Sequence, residues 1–396
     1  MRIRSNKIVF EDHIEPGIIE ITNGIISNIL PTDDSFDIDY SNQIIAPGLI
    51  DIHNHGYAGW SFTNTSSKED LKLLLKRLVS EGVTSMLATS ARGAFLQITD
   101  LIESPTHDTE IIGIHTEGPF LNPKQYGAAP PDTVFETPNI SLAKELYNQS
   151  KKHLKMMTLA PEVPGSLEVI DWLNEHDIKV AVGHTNISYE DLKKIEDKVS
   201  SLTHLGNAMS GIHHREIGAF GFGLKENVFV ELIADGLHVS KPMMDLIFQI
   251  KDLSKIILIS DTVPLAGLKA GNYQTIMGEI HINNDGLIMN EFGQISGSSR
   301  TLLQDLQYLN REFSFELPSL FQMASLNPAR FLNLNDRGSI HVRKKADLLV
   351  LDDHLQLDTV YKNGIIRYQK TEQKADNQAK ITHFIKDMEF FNYYCL

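Results

Sequence analysis

His53 and His55 stand one residue apart at the end of the apolar run LIDIHNH, the first of several metal-competent side chains that follow apolar runs. Glu117 follows IIGIHT, His184 follows KVAVG, His204 lies in SLTHLGNAM, His238 ends ELIADGLH and Asp261 follows KIILIS. In an extended segment, residues i and i+2 share a face, so His53 and His55 present both imidazoles to one side. Imidazole nitrogen and carboxylate oxygen are good ligands for divalent zinc or iron. Such a metal with an open position lowers the pKa of water and polarises a carbonyl. A carboxylate beside it that is not fully committed to the metal can take the water's proton and hand it to a leaving group, a role that suits Asp261. The chemistry this set could perform is metal-assisted hydrolysis.

The remaining histidines, of sixteen in all, call for less. His115 shares a face with Glu117 and reads as a satisfied packing residue. His213 and His214 lie in the polar loop SGIHHREIG, and the others fall in polar or terminal contexts. Asp51 either holds a ligand histidine or caps the turn.

The elements that must position these groups follow from the patterning. Eight short apolar runs alternate with charged segments, the runs being LIDIHNH, TSMLATS, IIGIHTEGPF, MMTLAPE, KVAVGHT, SLTHLGNAM, VFVELIADGLH and KIILISDT. Segments such as SSKEDLKLLLKRLVSEG and SYEDLKKIEDKVS carry the i, i+3, i+4 apolar spacing of helices. Eight strands alternating with helices predict an α/β fold, a parallel (β/α)8 TIM-type barrel, with a doubly wound open sheet as the alternative. In a barrel the C-terminal strand ends meet in one mouth, which would collect five histidines and two carboxylates from six strands. Residues 1–45 and 338–370 have a different texture, with alternating Val, Ile and Phe broken by Pro-Gly and Asn-Gly. They are expected to pair as one small β-sandwich domain around a barrel of residues 46–337, leaving residues 371–396 as a C-terminal tail with an aromatic end.

Composition narrows the function. The 396-residue chain is 42% hydrophobic and 22% charged, which is ordinary for a globular protein. Its net charge of −15 disfavours nucleic acid as a partner, since no basic surplus exists to neutralise phosphates. The single cysteine, Cys395, excludes an intramolecular disulfide and a thiolate zinc site. The opening MRIRSNKIVFEDH lacks the apolar core of a secretory signal, and no run approaches the roughly 18 apolar residues of a membrane span. A cytoplasmic enzyme is expected.

The ordered motifs APGLIDIHNHG, HTEGPF, VGHT, THLGNAM, ADGLH, SDTVPLAG and SGSS resemble the N-acetylglucosamine-6-phosphate deacetylases of the amidohydrolase superfamily, from about Ala46 to Ser299. That resemblance implies a barrel with a small β-sandwich and deacetylation of N-acetylglucosamine 6-phosphate. It implies Glu117, His184 and His204 as common metal ligands and His53 and His55 as the pair found in members with a second metal, hence one or two ions per subunit with Glu117 bridging. It further implies Asp261 as general base and acid, and His238 as the contact to sugar and scissile amide. The backbone of Asn207 and Ala208 would form part of the phosphate site. Arg215 would reach the phosphate of a neighbouring subunit's substrate, implying a homodimer; guanidinium suits phosphate geometry.

The sequence departs from that family at Ala129, where a polar His or Gln close to the substrate is usual, at Gly206, where an aromatic residue is common, and at REIG in place of Arg-Glu-Pro-Gly. Lost sugar contacts shift specificity, so N-acetylgalactosamine 6-phosphate or another N-acyl sugar phosphate is an alternative substrate. A cyclic-amide hydrolase is a more distant alternative, against which Glu117 counts. A non-catalytic, metal-stabilised sugar sensor is the alternative of a different class, and it would have no need of an uncommitted Asp261.

Overall fold

A computed structural model describes residues 1–65, 67–90, 95–128, 135–275 and 278–370. All eight apolar runs form strands in the expected order: β1 (Leu49–Asp51), β2 (Val83–Thr89), β3 (Glu110–Glu117), β4 (Leu154–Leu159), β5 (Lys179–Val182), β6 (Ser201–Leu202), β7 (Phe229–Leu232) and β8 (Ile256–Leu258). Each pairs in parallel with its neighbour in the chain. The ring joins where β8 meets β1: Asn54 and Thr262 form a parallel bridge, the Asp261 N–H donates to the His53 carbonyl at 3.0 Å, and the His55 N–H donates to the Thr262 carbonyl at 2.8 Å. Those bonds distinguish a barrel from the open doubly wound sheet. They also set Asp261 beside His53 and His55, which are more than two hundred positions away in the chain.

Between and after the strands run α1 (Lys68–Val79), α2 (Phe95–Glu103), α3 (Ile140–Gln149), α4 (Ser166–Glu175), α5 (Tyr189–Lys193), α6 (Gly218–Lys225), α7 (Lys241–Ile250) and α8 (Leu302–Glu312). In α1, the Ser67 side chain accepts from the Asp70 N–H at the N-terminus, and Leu71, Leu74, Leu75 and Leu78 are buried against the barrel. α5 is shorter than its charged spacing suggests, passing into a single turn at Glu196–Lys198. The barrel floor is apolar, with Ile50, Leu87, Met156, Ala181, Ile233 and Ile257 packed against Ala329 and Phe331.

The two chain ends meet in a second sheet. Strand Ile44–Pro47 pairs antiparallel with Leu348–Leu351, joining the N-terminal strands Arg2–Val9, Ile14–Thr22, Ile25–Leu30 and Ile38–Asp39 to the C-terminal strands Leu357–Lys362 and Ile365–Gln369. Two hairpins turn on Asn-Gly: Asn23 and Gly24 have φ of 52° and 78°, Asn363 and Gly364 of 50° and 71°. Positive φ at both central positions is what a two-residue hairpin of matching twist requires. A three-stranded sheet outside the eight apolar runs, Gly271–Thr275, Gly278–Ile282 and Ile288–Asn290, follows β8. Among the described residues no helix is long and apolar enough to cross a membrane. The expected tail, residues 371–396, lies outside the described residues.

Candidate active site

Six of the expected side chains converge at the C-terminal mouth of the barrel. Glu117, at the end of β3, stands at the centre with its two oxygens facing opposite ways. Oε1 lies 3.0 Å from His184 Nε2 and 2.9 Å from His204 Nε2. Oε2 lies 3.0 Å from His55 Nε2 and 3.5 Å from His53 Nε2. Asp261 Oδ1 is 3.5 Å from Nε2 of both His53 and His55. Two overlapping groups result, His53–His55–Glu117 and Glu117–His184–His204, and within each the ligand atoms lie within 4.8 Å of one another.

The donor chemistry fits a cation. The Nε2 atoms of His53 and His55 are 3.2 Å apart, as are those of His184 and His204. Two imidazole lone pairs face each other that closely only with a proton or a cation between them. The electrostatics point the same way. Burial opposes the charged form of His53, but Glu117 and Asp261 outweigh it and hold its pKa well above the imidazole range. Burial likewise opposes His55, and its hydrogen bonds to Asp261 and Glu117 raise it to about 9. Burial would raise Glu117, yet the charge of His53 and the hydrogen bonds from His184 and His204 hold it well below the carboxylate range. Asp261 is lowered in the same way, His53 and His55 reversing the effect of burial. The buried carboxylates therefore draw positive charge, which a divalent ion would supply in place of protons.

The backbone is bent to achieve this. His184, His204 and Asp261 have φ of 46°, 30° and 47°, in the left-handed region that non-glycine residues seldom occupy. Such conformations cost on the order of 1–3 kcal/mol each and persist where surrounding structure enforces them. Here the enforcing bonds are visible. His184 Nδ1 is 2.8 Å from the Gln125 carbonyl, and the His184 carbonyl accepts from Asn122 N–H at 3.0 Å. Asp261 donates to the His53 carbonyl, and its own carbonyl accepts from Ser298 N–H at 2.9 Å.

A family model described as the Amidohydrolase family matches residues 44–388. The chain is 32% identical over 391 residues to an N-acetylglucosamine-6-phosphate deacetylase of Bacillus subtilis (strain 168), covering 93% of this chain and 98% of that one. The chain belongs to the amidohydrolase family, among the N-acetylglucosamine-6-phosphate deacetylases. It is also 30% identical over 375 residues to an N-acetylgalactosamine-6-phosphate deacetylase of Escherichia coli O157:H7, covering 91% of this chain and 98% of that one. A solved structure of a variant N-acetyl-D-glucosamine-6-phosphate deacetylase from Mycobacterium smegmatis, in complex with N-acetyl-D-glucosamine-6-phosphate, superposes with a TM-score of 0.86 at 25% identity, over 93% of this chain and 99% of that one.

Of the remaining expected residues of this amidohydrolase, His238, Asn207 and Ala208 sit beside the cluster. His238 is nearly buried; Asp235 Oδ2 lies 2.7 Å from its Nδ1, and Asp235 Oδ1 accepts from the His238 N–H at 2.9 Å. Burial opposes its charged form, but Asp235 raises its pKa overall, with a smaller contribution from Asp261. Asn207 and Ala208 lie three and four residues after His204: Asn207 Nδ2 donates to the His204 carbonyl at 3.2 Å, and the Ala208 carbonyl accepts from Thr185 N–H at 3.1 Å. Arg215 stands apart from the cluster on an exposed turn, its Nη1 2.7 Å from His214 Nε2. Ala129 lies outside the described residues.

His115 lies below the cluster, neutral and satisfied. Its nitrogens meet Thr89 Oγ1 at 3.1 Å and Thr158 Oγ1 at 2.8 Å, its ring packs edge-on against His53, and burial together with His53 keeps its pKa well below the usual value. Asp51 ties the ring closure, accepting from Ser260 Oγ at 2.6 Å and Asn54 Nδ2 at 3.1 Å. Three supporting carboxylates escaped the sequence reading: Asp235, Glu162 and Glu231. Asp235 had a signal in its i, i+3 spacing to His238, and Glu231 in being a charge inside an otherwise apolar strand.

Proposed function

We propose that the protein hydrolyses the acetamide of N-acetylglucosamine 6-phosphate to glucosamine 6-phosphate and acetate, using zinc or iron, one or two ions per subunit, held by His53, His55, Glu117, His184 and His204. The observation that carries this reading is Glu117 dividing its oxygens between two histidine pairs, with Asp261 3.5 Å from one of them. A divalent ion held there would supply Lewis acidity, polarising the acetyl carbonyl and lowering the pKa of water. Asp261 takes the proton of the attacking water through Oδ1, then returns it to the nitrogen of the departing amine. His238, its far nitrogen held by Asp235, donates to the oxyanion of the tetrahedral intermediate. The backbone of Asn207 and Ala208 binds the 6-phosphate, and Arg215 reaches the phosphate in a neighbouring subunit of a homodimer, where its planar fork matches phosphate oxygens. The division into residues 1–45 with 338–370, and 46–337, belongs to the same proposal. So does a cytoplasmic setting, since the charge of a sugar phosphate bars it from a bilayer.

A second reading is favoured by two observations, the 30% identity to the E. coli galactosamine enzyme and Gly206. Gly206 has φ +93°, and a Cβ there would crowd the Phe220 ring at 3.3 Å, so no aromatic residue fits at this position and its contact beside Asn207 is missing in this chain. The galacto epimer, N-acetylgalactosamine 6-phosphate, is therefore the competing substrate. Stripping the metal with a chelator should abolish acetate release, and reloading zinc or ferrous iron should restore it. Unchanged release from metal-free protein would overturn the proposal.

A further inference from the structure

We infer that Glu231 is a positioning residue that fixes the tautomer of His53, and with it metal affinity at the His53–His55 half of the site. This inference rests on the metal-centred reading above. Glu231 lies on β7 inside the barrel with no solvent exposure. Its Oε2 is 3.1 Å from His53 Nδ1, and its Oε1 accepts from Ser201 Oγ at 3.3 Å. Among the described residues no lysine or arginine pairs with it; its one basic neighbour is His53. A carboxylate taken out of water without a cation costs several kcal/mol, so its retention in a barrel core calls for a compensating interaction. A carboxylate can only accept, so His53 donates through Nδ1–H and its Nε2 is left with a free lone pair. That Nε2 is the nitrogen aimed at Glu117 and Asp261.

The two halves of the site differ in this respect. His184 turns its Nδ1 to a main-chain carbonyl, that of Gln125, and the Nδ1 of His204 is buried without a hydrogen-bond partner among the described residues. Among these three ligands, His53 alone has a carboxylate behind it. Such a partner orients the ring and raises the basicity of the ligating nitrogen, and its loss elsewhere weakens metal binding roughly 10- to 100-fold.

The test is zinc binding to chelator-stripped wild type and Glu231→Gln, by competition with a chromophoric chelator and by metal analysis, alongside the imidazole 15N–1H spectrum of the zinc-loaded proteins. Glutamine keeps the volume and removes the charge. Wild type is expected to show a downfield Nδ1–H resonance, assigned to His53 by its loss in His53→Asn. Glu231→Gln, a neutral and weaker acceptor, should move that resonance upfield and bind one zinc equivalent roughly 10- to 100-fold more weakly. A merely structural carboxylate would lower the melting temperature of the stripped variant while leaving its zinc affinity unchanged. Unchanged affinity and spectrum in an active, metal-loaded enzyme would overturn the role of Glu231 alone. Wild type that binds no zinc would overturn the metal-centred reading as well. If the glutamine variant fails to fold, the wild-type spectrum decides, and His53 carrying its proton on Nε2 would refute the inference.

Discussion

Asp261 is the residue on which the proposed chemistry turns. It is held in a left-handed conformation between the His53 carbonyl and Ser298, with Oδ1 at the edge of the metal-competent group and its side chain still 12% exposed to the mouth. A group so placed reaches both water and substrate. Asp261→Asn keeps the shape and removes the proton-transfer function, so turnover should fall by about 10²- to 10⁴-fold or more while bound metal, counted by elemental analysis, stays at the wild-type level. An active asparagine variant would contradict the assignment. The six clustered residues were legible in the sequence because each ends an apolar run, and strand ends converge in a barrel. Glu231 was not, because a single carboxylate within VFVELIA carries no sign of which strand its side chain will face across the barrel. Its meaning appears only when β7 is set opposite His53.

At the scale of elements, the loops after β3, β4 and β5 act together. Glu162, in the loop after β4, accepts from Asn122 Nδ2 at 2.7 Å and from Thr185 Oγ1 at 2.6 Å, tying the loop that follows Glu117 to the loop that carries His184. Gln125 Nε2 adds a bond to Asn186 Oδ1 at 2.9 Å. Glu162→Ala should leave these donors without their acceptor and cost about 1–3 kcal/mol in denaturant unfolding. It should also slow turnover, since His184 takes its position from this staple. Strand order was readable from the apolar runs, and the two Asn-Gly hairpins from their dipeptides. The sheet formed by 271–290 was not, because its strands are half exposed and its core holds few residues, mainly Leu265, Ile280, Ile282 and Ile288. A short amphipathic hairpin of that kind leaves little periodic signal against loop sequence.

At the scale of the whole molecule, the barrel and the sheet of chain ends are joined by ion pairs as well as apolar packing. Glu110, at the start of β3, lies 3.0 Å from Arg337 Nη2, 3.2 Å from Lys345 Nζ and 3.0 Å from Lys362 Nζ, and Lys362 also meets Asp347 at 2.6 Å. Burial would raise the Glu110 pKa, but Lys362, Arg337 and Lys345 together lower it to about 2. A carboxylate depressed from an ordinary 4.5 to about 2 contributes roughly 3 kcal/mol above pH 4.5, and that contribution fades as the pH falls towards 2. Glu110→Gln should therefore be less stable than wild type at pH 7, with the gap closing between pH 4.5 and 2. Denaturant melts across that range measure it, and a pH-independent gap would contradict the network. The pairing of the two chain ends was foreseeable from their shared strand texture, whereas this ion network was not, since Glu110 lies more than two hundred residues from the basic residues it pairs with.

The most direct test of the account is acetate release from N-acetylglucosamine 6-phosphate and from its galactosamine epimer, side by side, on protein whose bound metal has been counted. The account predicts metal-dependent release, with the gluco compound turned over at the higher kcat/KM. Metal-loaded protein that releases acetate from neither compound would contradict it.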